Sequence, residues 1–165
     1  MILKKIFQKN KFTIKALIFD VDGVLIPNGS YFTEENAQLL IQKEDLNALF
    51  ESKKRGYYIA FITGSGNKVL KYWLLKQGFD AVYLESFNKL KDFKDFCITY
   101  SLNEKECAYA GDSIPDLETL KTCGLPSCPA NAEFDVKEVA KFIGKKMGGF
   151  GFISELINFH FDASK

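Results

Sequence analysis

The chain alternates short apolar runs with longer segments in which apolar residues recur at helical spacing. The short runs, rich in β-branched and aromatic side chains, predict buried strands at residues 14–19, 57–62, 81–84, 107–110 and 125–127. The intervening segments predict helices at residues 46–55, 67–77, 90–100, 114–122, 134–140 and 153–161. This alternation predicts a Rossmann-like α/β fold, a three-layer sandwich in which helices cover both faces of a mainly parallel sheet.

Glycine and proline support several of these boundaries. Gly56 and Gly78 each follow a predicted helix, a position where glycine commonly ends helices. Pro115 falls in the first turn of another helix, where proline is tolerated. Residues 27–45 break the alternation, and within them residues 31–32 and 39–41 predict the arms of a β-hairpin flap after the first strand.

The composition is that of one globular domain. The chain has 165 residues and a mass of 18.7 kDa, with 47% hydrophobic and 26% charged residues. We expect a single domain over residues 1–165 with its core at 13–157 and no cap domain, because no length is left for one. Phe150, Phe152 and Phe159 could lie in the core or at a subunit interface, and we favour an interface for this C-terminal tail.

The charge balance argues against nucleic acid or a membrane as the main partner. The chain carries 22 basic and 21 acidic residues, for a net charge of +1, and it has no apolar run long enough to cross a bilayer. Residues 1–12 mix lysines with apolar residues, so they predict an amphipathic lead-in helix rather than a secretory signal. We therefore expect a cytoplasmic protein.

Cysteine and histidine chemistry is not indicated. The four cysteines form no Cys-x-x-Cys pair, which disfavours a zinc site, and we expect reduced thiols. The single histidine, His160, lies in an apolar stretch and is interpreted as a packing or surface residue. A Ser/His or Cys/His catalytic system would have to use it, so those mechanisms are disfavoured.

Reactive side chains follow the ends of successive predicted strands. They are Asp20 and Asp22 after the first strand, Thr63 with its neighbour Gly64 after the second, Lys89 at the start of the helix after the third, and Asp112 with its neighbour Gly111 after the fourth. Parallel sheets place their sites at the carboxyl ends of strands. We therefore expect these residues to form one site.

The segment Asp20-Val21-Asp22-Gly23-Val24 carries the strongest chemical signal. One carboxylate can accept a phosphoryl group, and a second nearby can protonate the leaving group and later activate water. Two anions facing a phosphate need a hard cation, most simply Mg²⁺. Asp112 and Asp116 offer further carboxylates, Thr63 a hydroxyl and Lys89 a positive charge.

Taken singly, the residues outside this segment have ordinary structural explanations. Thr63 could cap a turn, Lys89 could be a solvated helix residue, and Asp112 and Asp116 could favour a helix N-terminus. It is their placement at successive strand ends that favours a common site.

Together these motifs resemble those of the haloacid dehalogenase-like phosphohydrolases: Asp-x-Asp-Gly-Val, Thr-Gly, Lys and Gly-Asp-x-x-x-Asp. The resemblance implies Mg²⁺-dependent phosphoryl transfer, with Asp20 as nucleophile and Asp22 as general acid/base that also ligates the metal through its backbone carbonyl. It further implies Asp20 and Asp112 as metal ligands, with Asp116 in support. The phosphoryl group would be bound by Gly23, Thr63, Gly64 and Lys89.

The C-terminal Gly148-Gly149-Phe150-Gly151 followed by Glu155 resembles the end of a small capless branch of that family. This branch is typified by phosphatases of 3-deoxy-D-manno-octulosonate 8-phosphate and related sugar-acid 9-phosphates. The resemblance implies a small phosphorylated 3-deoxy-2-ulosonate as substrate, a role in lipopolysaccharide precursor synthesis, and a homotetramer in which one subunit helps to close its neighbour's site.

The chain departs from this branch at two positions where the family usually has arginine, here Ser65 and Ser154. Three alternatives to a sugar-acid phosphatase stay open. They are a phosphatase of the same superfamily with another small or a macromolecular substrate, a degenerate domain kept for binding, and a phosphoryl-accepting signalling module. In receiver domains, which are modules of the last kind, the acceptor aspartate follows the third strand rather than the first.

Overall fold

The computed structural model of the protein describes residues 13–163, so the lead-in helix predicted at residues 1–12 lies outside the described residues. Within them the six strands pair in parallel in the order β3-β2-β1-β4-β5-β6. Their bounds are β1 Ala16–Phe19, β2 Tyr58–Ile62, β3 Ala81–Tyr83, β4 Cys107–Ala110, β5 Leu125–Cys128 and β6 Phe142–Ile143. The five predicted strands are confirmed, and the two-residue β6 was not predicted.

Helices connect the strands and cover both faces of the sheet. In chain order they are α1 Ala37–Leu40, α2 Lys43–Lys54, α3 Lys68–Lys76, α4 Lys89–Thr99, α5 Leu117–Thr122, α6 Phe134–Val139 and α7 Phe152–Ala163. The helix predicted at 114–122 begins as a 3₁₀ turn, Ile114–Asp116, before α5. None of the helices within residues 13–163 has both the length and the hydropathy needed to cross a bilayer.

Two hydrophobic clusters pack against opposite faces of the sheet. Because side chains alternate along a strand, Leu17 and Phe19 of β1 join the cluster beneath α2, α3 and α7, whereas Ile18 joins the cluster beneath α4, α5 and α6. The predicted three-layer arrangement is confirmed.

The C-terminal helix belongs largely to the core. Phe152 is fully buried, and the Phe159 ring lies 4.7 Å from the ring of Phe142. Phe152 therefore lies in the core and not at an interface. Phe159 is partly buried and Phe150 is exposed, so their contact with a second subunit stays a prediction. His160 is buried, with Nε2 at 3.0 Å from the Tyr57 hydroxyl, as expected for a packing residue.

The β-hairpin flap predicted within residues 27–45 does not form: the described segment contains turns and α1 instead of paired strands. Thr33 N donates to the Asn36 side chain, and Asn36 N donates to the Thr33 hydroxyl. Such reciprocal side-chain bonds satisfy the backbone locally and compete with strand pairing. Phe32 and Ile41, in the expected arms, are instead buried in the core.

Candidate active site

The structure brings the predicted reactive residues to one edge of the sheet. They line a cleft of about 410 Å³, with Asp20, Asp22, Thr63, Gly64, Lys89 and Asp112 in its wall. Asp116 lies directly beneath them and is fully buried. Since β1 to β4 run parallel, their carboxyl ends open on the same side, which explains why residues distant in sequence converge here.

The loop after β1 forms a tight turn that aims both aspartates into the cleft. Gly23 adopts φ of +81°, a conformation that favours glycine, and its N–H donates to the Ile26 carbonyl at 2.8 Å. A Cβ at Gly23 would lie 2.1 Å from Asp112 Oδ2. Gly23 therefore allows the acidic loop after β4 to approach closely.

The C-terminal glycines pack against this turn. A Cβ at Gly148 would lie 1.6 Å from the Gly23 carbonyl oxygen, and Gly149 N donates to the Val24 carbonyl at 2.8 Å. The double glycine, which sequence resemblance alone had singled out, is thus needed for backbone contact with the catalytic loop.

Lys89 is positioned by the start of α4. The Asn88 side chain accepts from Lys91 N at 3.0 Å, which caps the helix and places Lys89 in its first turn. From there Lys89 Nζ lies 2.9 Å from Asp20 Oδ2 and 2.7 Å from Asp116 Oδ1, with all three side chains buried.

These charges shift one another's protonation. Burial raises the pKa of Asp20 well above its usual range, and the neighbouring charge of Asp116 adds to this. Burial opposes the charge of Lys89, but Asp20 and Asp116 together outweigh it and raise the pKa of Lys89. The ammonium is therefore a permanent positive charge beside Asp20.

Asp116 anchors the site from below. Its Oδ1 accepts from Lys89 and from the Tyr109 hydroxyl, both at 2.7 Å. Its Oδ2 accepts from Asp112 N at 3.1 Å, Ser113 N at 3.2 Å and the Ser113 hydroxyl at 3.4 Å. Because a carboxylate has about four lone-pair sites, these donors leave none for a metal ion. Asp116 thus holds Lys89 and the Asp112 loop in place.

Sequence reasoning missed Tyr109, which lies on β4 beneath the site. Burial raises the pKa of its hydroxyl well above the usual range, so it remains a donor to Asp116. The only signal in the sequence was one bulky polar residue in the otherwise small-residue strand Cys107–Ala110.

Asp22 and Thr63 are neighbours in the lining of the cleft. Thr63 Oγ1 lies 3.4 Å from Asp22 Oδ2 and also accepts from Ser65 N at 3.0 Å, so Thr63 caps the turn after β2 as well as lining the site. Burial raises the pKa of Asp22, and the Thr63 hydrogen bond offsets part of this shift. A raised pKa suits a group that must first donate a proton.

The acidic cluster fits a hard divalent cation. Carboxylate oxygens of Asp20, Asp112 and Asp116 lie within 4.8 Å of one another, with Lys89 as the ammonium among them. Burial, together with the charge of Asp116, raises the pKa of Asp112 to about 6. Since Asp116 has no lone pair left, Asp20 and Asp112 are the carboxylates that fit an oxygen-ligated ion such as Mg²⁺.

The chain is similar in sequence to known hydrolases. The sequence family of haloacid dehalogenase-like hydrolases matches residues 60–149. The 3-deoxy-D-manno-octulosonate 8-phosphate phosphatase of Escherichia coli K12 is 26% identical over 144 residues, covering 87% of this chain and 77% of the relative. That of Yersinia pestis is 27% identical over 153 residues, with the same coverage.

Two solved structures share the fold over nearly the whole chain. A HAD superfamily (subfamily III A) hydrolase from Legionella pneumophila has a TM-score of 0.87 at 28% identity, covering 98% of this chain and 90% of its own. The 3-deoxy-D-manno-octulosonate 8-phosphate phosphatase of Moraxella catarrhalis, in complex with magnesium, phosphate and KDO, has a TM-score of 0.86 at 25% identity, with coverages of 97% and 92%.

Proposed function

We propose a mechanism from the premise that the chain belongs to the haloacid dehalogenase-like hydrolases and is a phosphoric monoester hydrolase. In this mechanism the protein acts through an aspartyl-phosphate on Asp20 with Mg²⁺. The observation that carries this proposal is the Asp20–Lys89–Asp116 arrangement, which holds one carboxylate at the cleft wall beside a fixed positive charge. Asp22 lies in the same wall.

In the first half-reaction an oxygen of the Asp20 carboxylate forms a bond to phosphorus while the ester P–O bond breaks. Asp22, whose pKa is raised by burial, gives its proton to the departing alkoxide oxygen. Lys89 and the Thr63 hydroxyl stabilise the charge on the phosphoryl oxygens. The alcohol then leaves, and the phosphoryl group remains on Asp20.

In the second half-reaction Asp22, now deprotonated, takes a proton from water as the water oxygen attacks phosphorus. The bond between Asp20 and phosphorus breaks, which releases phosphate and restores the carboxylate. Mg²⁺ would be held by Asp20, Asp112 and the Asp22 backbone carbonyl. Its positive charge would offset the repulsion between the carboxylates and the phosphate.

The first candidate substrate is 3-deoxy-D-manno-octulosonate 8-phosphate, a precursor of lipopolysaccharide. Relatives that act on it cover most of this chain, which supports the choice. The cleft of about 410 Å³ has the size of a small-molecule site. The homotetramer and the cytoplasmic location stay predictions. Light scattering would measure the number of subunits.

The experiment that tests this function is phosphate release from a panel of phosphomonoesters, with Mg²⁺ and with EDTA. The panel contains octulosonate 8-phosphate, nonulosonate 9-phosphates, phosphoglycolate and hexose phosphates. We expect metal-dependent hydrolysis with many turnovers per protein molecule, which a signalling module would not show. Binding without turnover on every compound would instead favour the degenerate-domain alternative.

Mg²⁺ affinity should weaken as the pH falls through about 6. The pKa of Asp112 is raised to about 6, so below this value the ion must displace a proton. The apparent affinity should then fall by about ten-fold or more for each further pH unit, because the proton on Asp112 competes and Asp20, the other carboxylate ligand, also has a raised pKa. Isothermal titration calorimetry at several pH values would measure this.

The matched variant is Asp112→Asn, which removes the carboxylate charge of Asp112 and the proton that competes with Mg²⁺. Its Mg²⁺ affinity should be lower than that of the wild type at neutral pH. The affinity should also lose the pH dependence that protonation of Asp112 causes. Wild-type affinity that stays constant between about pH 5 and pH 7 would contradict the assignment of Asp112 as a ligand.

A further inference from the structure

The part of the cleft outside the reacting groups is neutral. Its wall contains Asn28, Ser65, Ser86 and Ser113 in addition to Phe87 and Pro115. Among the described residues, Lys89 is the only cation that lines the cleft, and it already pairs with Asp20 and Asp116. A carboxylate on the substrate would therefore meet uncharged hydrogen-bonding groups and no available cation of this subunit's described part.

Phe87 stands at the cleft with its side chain almost entirely in water. It is 92% exposed and yet lines the same cleft as Asp20. A large ring left in water beside an open site is available to pack against the apolar face of a bound molecule.

The two residues that precede Phe87 are hydrogen-bonded to the turn after β2. Glu85 N donates to the Ser65 carbonyl and Ser86 N to the Thr63 carbonyl, each at 3.0 Å. Glu85 has φ of +52°, in the left-handed region that non-glycine residues seldom adopt. Strained backbone of this kind persists where the surroundings impose it, commonly at functional sites. The backbone that carries Phe87 to the cleft is thus tied to the Thr63 turn.

We propose that the cleft recognises the phosphate and the uncharged polyol segment next to it, with Phe87 packed against the C–H face of that segment, and that hydrolysis does not require a carboxylate on the substrate. This inference rests on the proposed phosphatase function and specifies its substrate class. It is compatible with octulosonate 8-phosphate, whose phosphate and carboxylate lie at opposite ends of the carbon chain.

The first test compares octulosonate 8-phosphate with its methyl ester, which lacks the negative charge at the far end. We expect the kcat/KM values of the two to agree within about three-fold, because no cleft cation among residues 13–163 is available to the carboxylate. A charge-assisted contact to the carboxylate would give a preference of about ten-fold or more for the acid, and that result would overturn the inference.

The second test is Phe87→Ala, with Ile98→Ala as matched control. Ile98 is also an exposed apolar residue, at 77%, but does not line the cleft. Loss of the ring should raise KM for polyol phosphates at least about three-fold with kcat unchanged, because the contact is made equally in ground and transition states. Methyl phosphate, which has no polyol segment, should show no change, and Ile98→Ala should match the wild type on both.

Two further outcomes are informative. If Phe87→Ala leaves KM unchanged, or changes the assembly state measured by light scattering, then the ring is not a substrate contact. If the wild type hydrolyses none of these compounds with Mg²⁺, the proposed phosphatase function itself fails. If the wild type hydrolyses methyl phosphate and octulosonate 8-phosphate but not the methyl ester of octulosonate 8-phosphate, the phosphatase function stands and only the proposed substrate class is refuted.

Discussion

Asp20→Asn is expected to lower kcat for phosphate release by at least about 10⁴-fold, the scale seen when a nucleophile is removed. The amide cannot accept the phosphoryl group, so no aspartyl-phosphate forms. Acid-quenched wild-type enzyme, digested and examined by mass spectrometry, should carry the phosphoryl group on Asp20. The same peptide of the variant should carry none.

The Asp20→Asn protein should nevertheless remain folded, with a free energy of unfolding within about 1 kcal/mol of the wild type. The amide oxygen can still accept from Val21 N, as Asp20 Oδ1 does at 2.7 Å, and Lys89 retains Asp116. Because burial already disfavours the charged form of Asp20, a neutral side chain is accepted there.

Asp95→Asn provides the matched control, since it makes the same change at an exposed position of α4. It should keep full activity. If Asp20→Asn retained activity comparable to that of Asp95→Asn, the assignment of Asp20 as nucleophile would be wrong.

Lys89→Met is expected to reduce stability by about 3–5 kcal/mol as well as activity, because it leaves two buried carboxylates without their cation. Lys89 Nζ contacts both Asp20 and Asp116, and each of these side chains is almost or fully buried. Urea unfolding in EDTA would measure the loss. Lys91→Met is the control, since Lys91 makes only a solvent-exposed pair with Asp95 and its loss should leave the stability nearly unchanged.

The deficit of Lys89→Met should shrink as the pH falls. Without the ammonium, which lowers it, the folded-state pKa of Asp20 rises further above the unfolded value of about 4. A raised carboxyl pKa means that the folded state binds protons more readily than the unfolded chain, so stability is greatest at low pH and is lost as the pH rises through the folded pKa. A deficit that grew on acidification would contradict this explanation.

A second substitution separates stability from catalysis. Adding Asp116→Asn to Lys89→Met removes one of the orphaned charges, and it should recover part of the lost stability without restoring activity. Equal stability of Lys89→Met and Lys91→Met would show that the buried pairs do not hold the site together.

The fold was predictable where local patterns decide it. Buried parallel strands are continuous apolar runs, and helices such as α3 and α4 begin at asparagine caps and show apolar residues at helical spacing. β6 was missed because Phe142–Ile143 is too short to have a pattern of its own and forms only by pairing with β5. The flap was predicted wrongly because Phe32 and Ile41 look like strand residues but are buried by tertiary packing.

The sequence by itself determined which chemistry is available, because the positions that follow parallel strands must meet at one edge of the sheet. Only the tertiary structure decided how the groups act on one another. The chain of contacts from Tyr109 through Asp116 and Lys89 to Asp20 joins four separate elements. The close approach of Gly148 to Gly23 and the exposed Phe87 depend on backbone paths that no local pattern encodes. Such contacts join residues far apart in sequence, where spacing carries no information about distance.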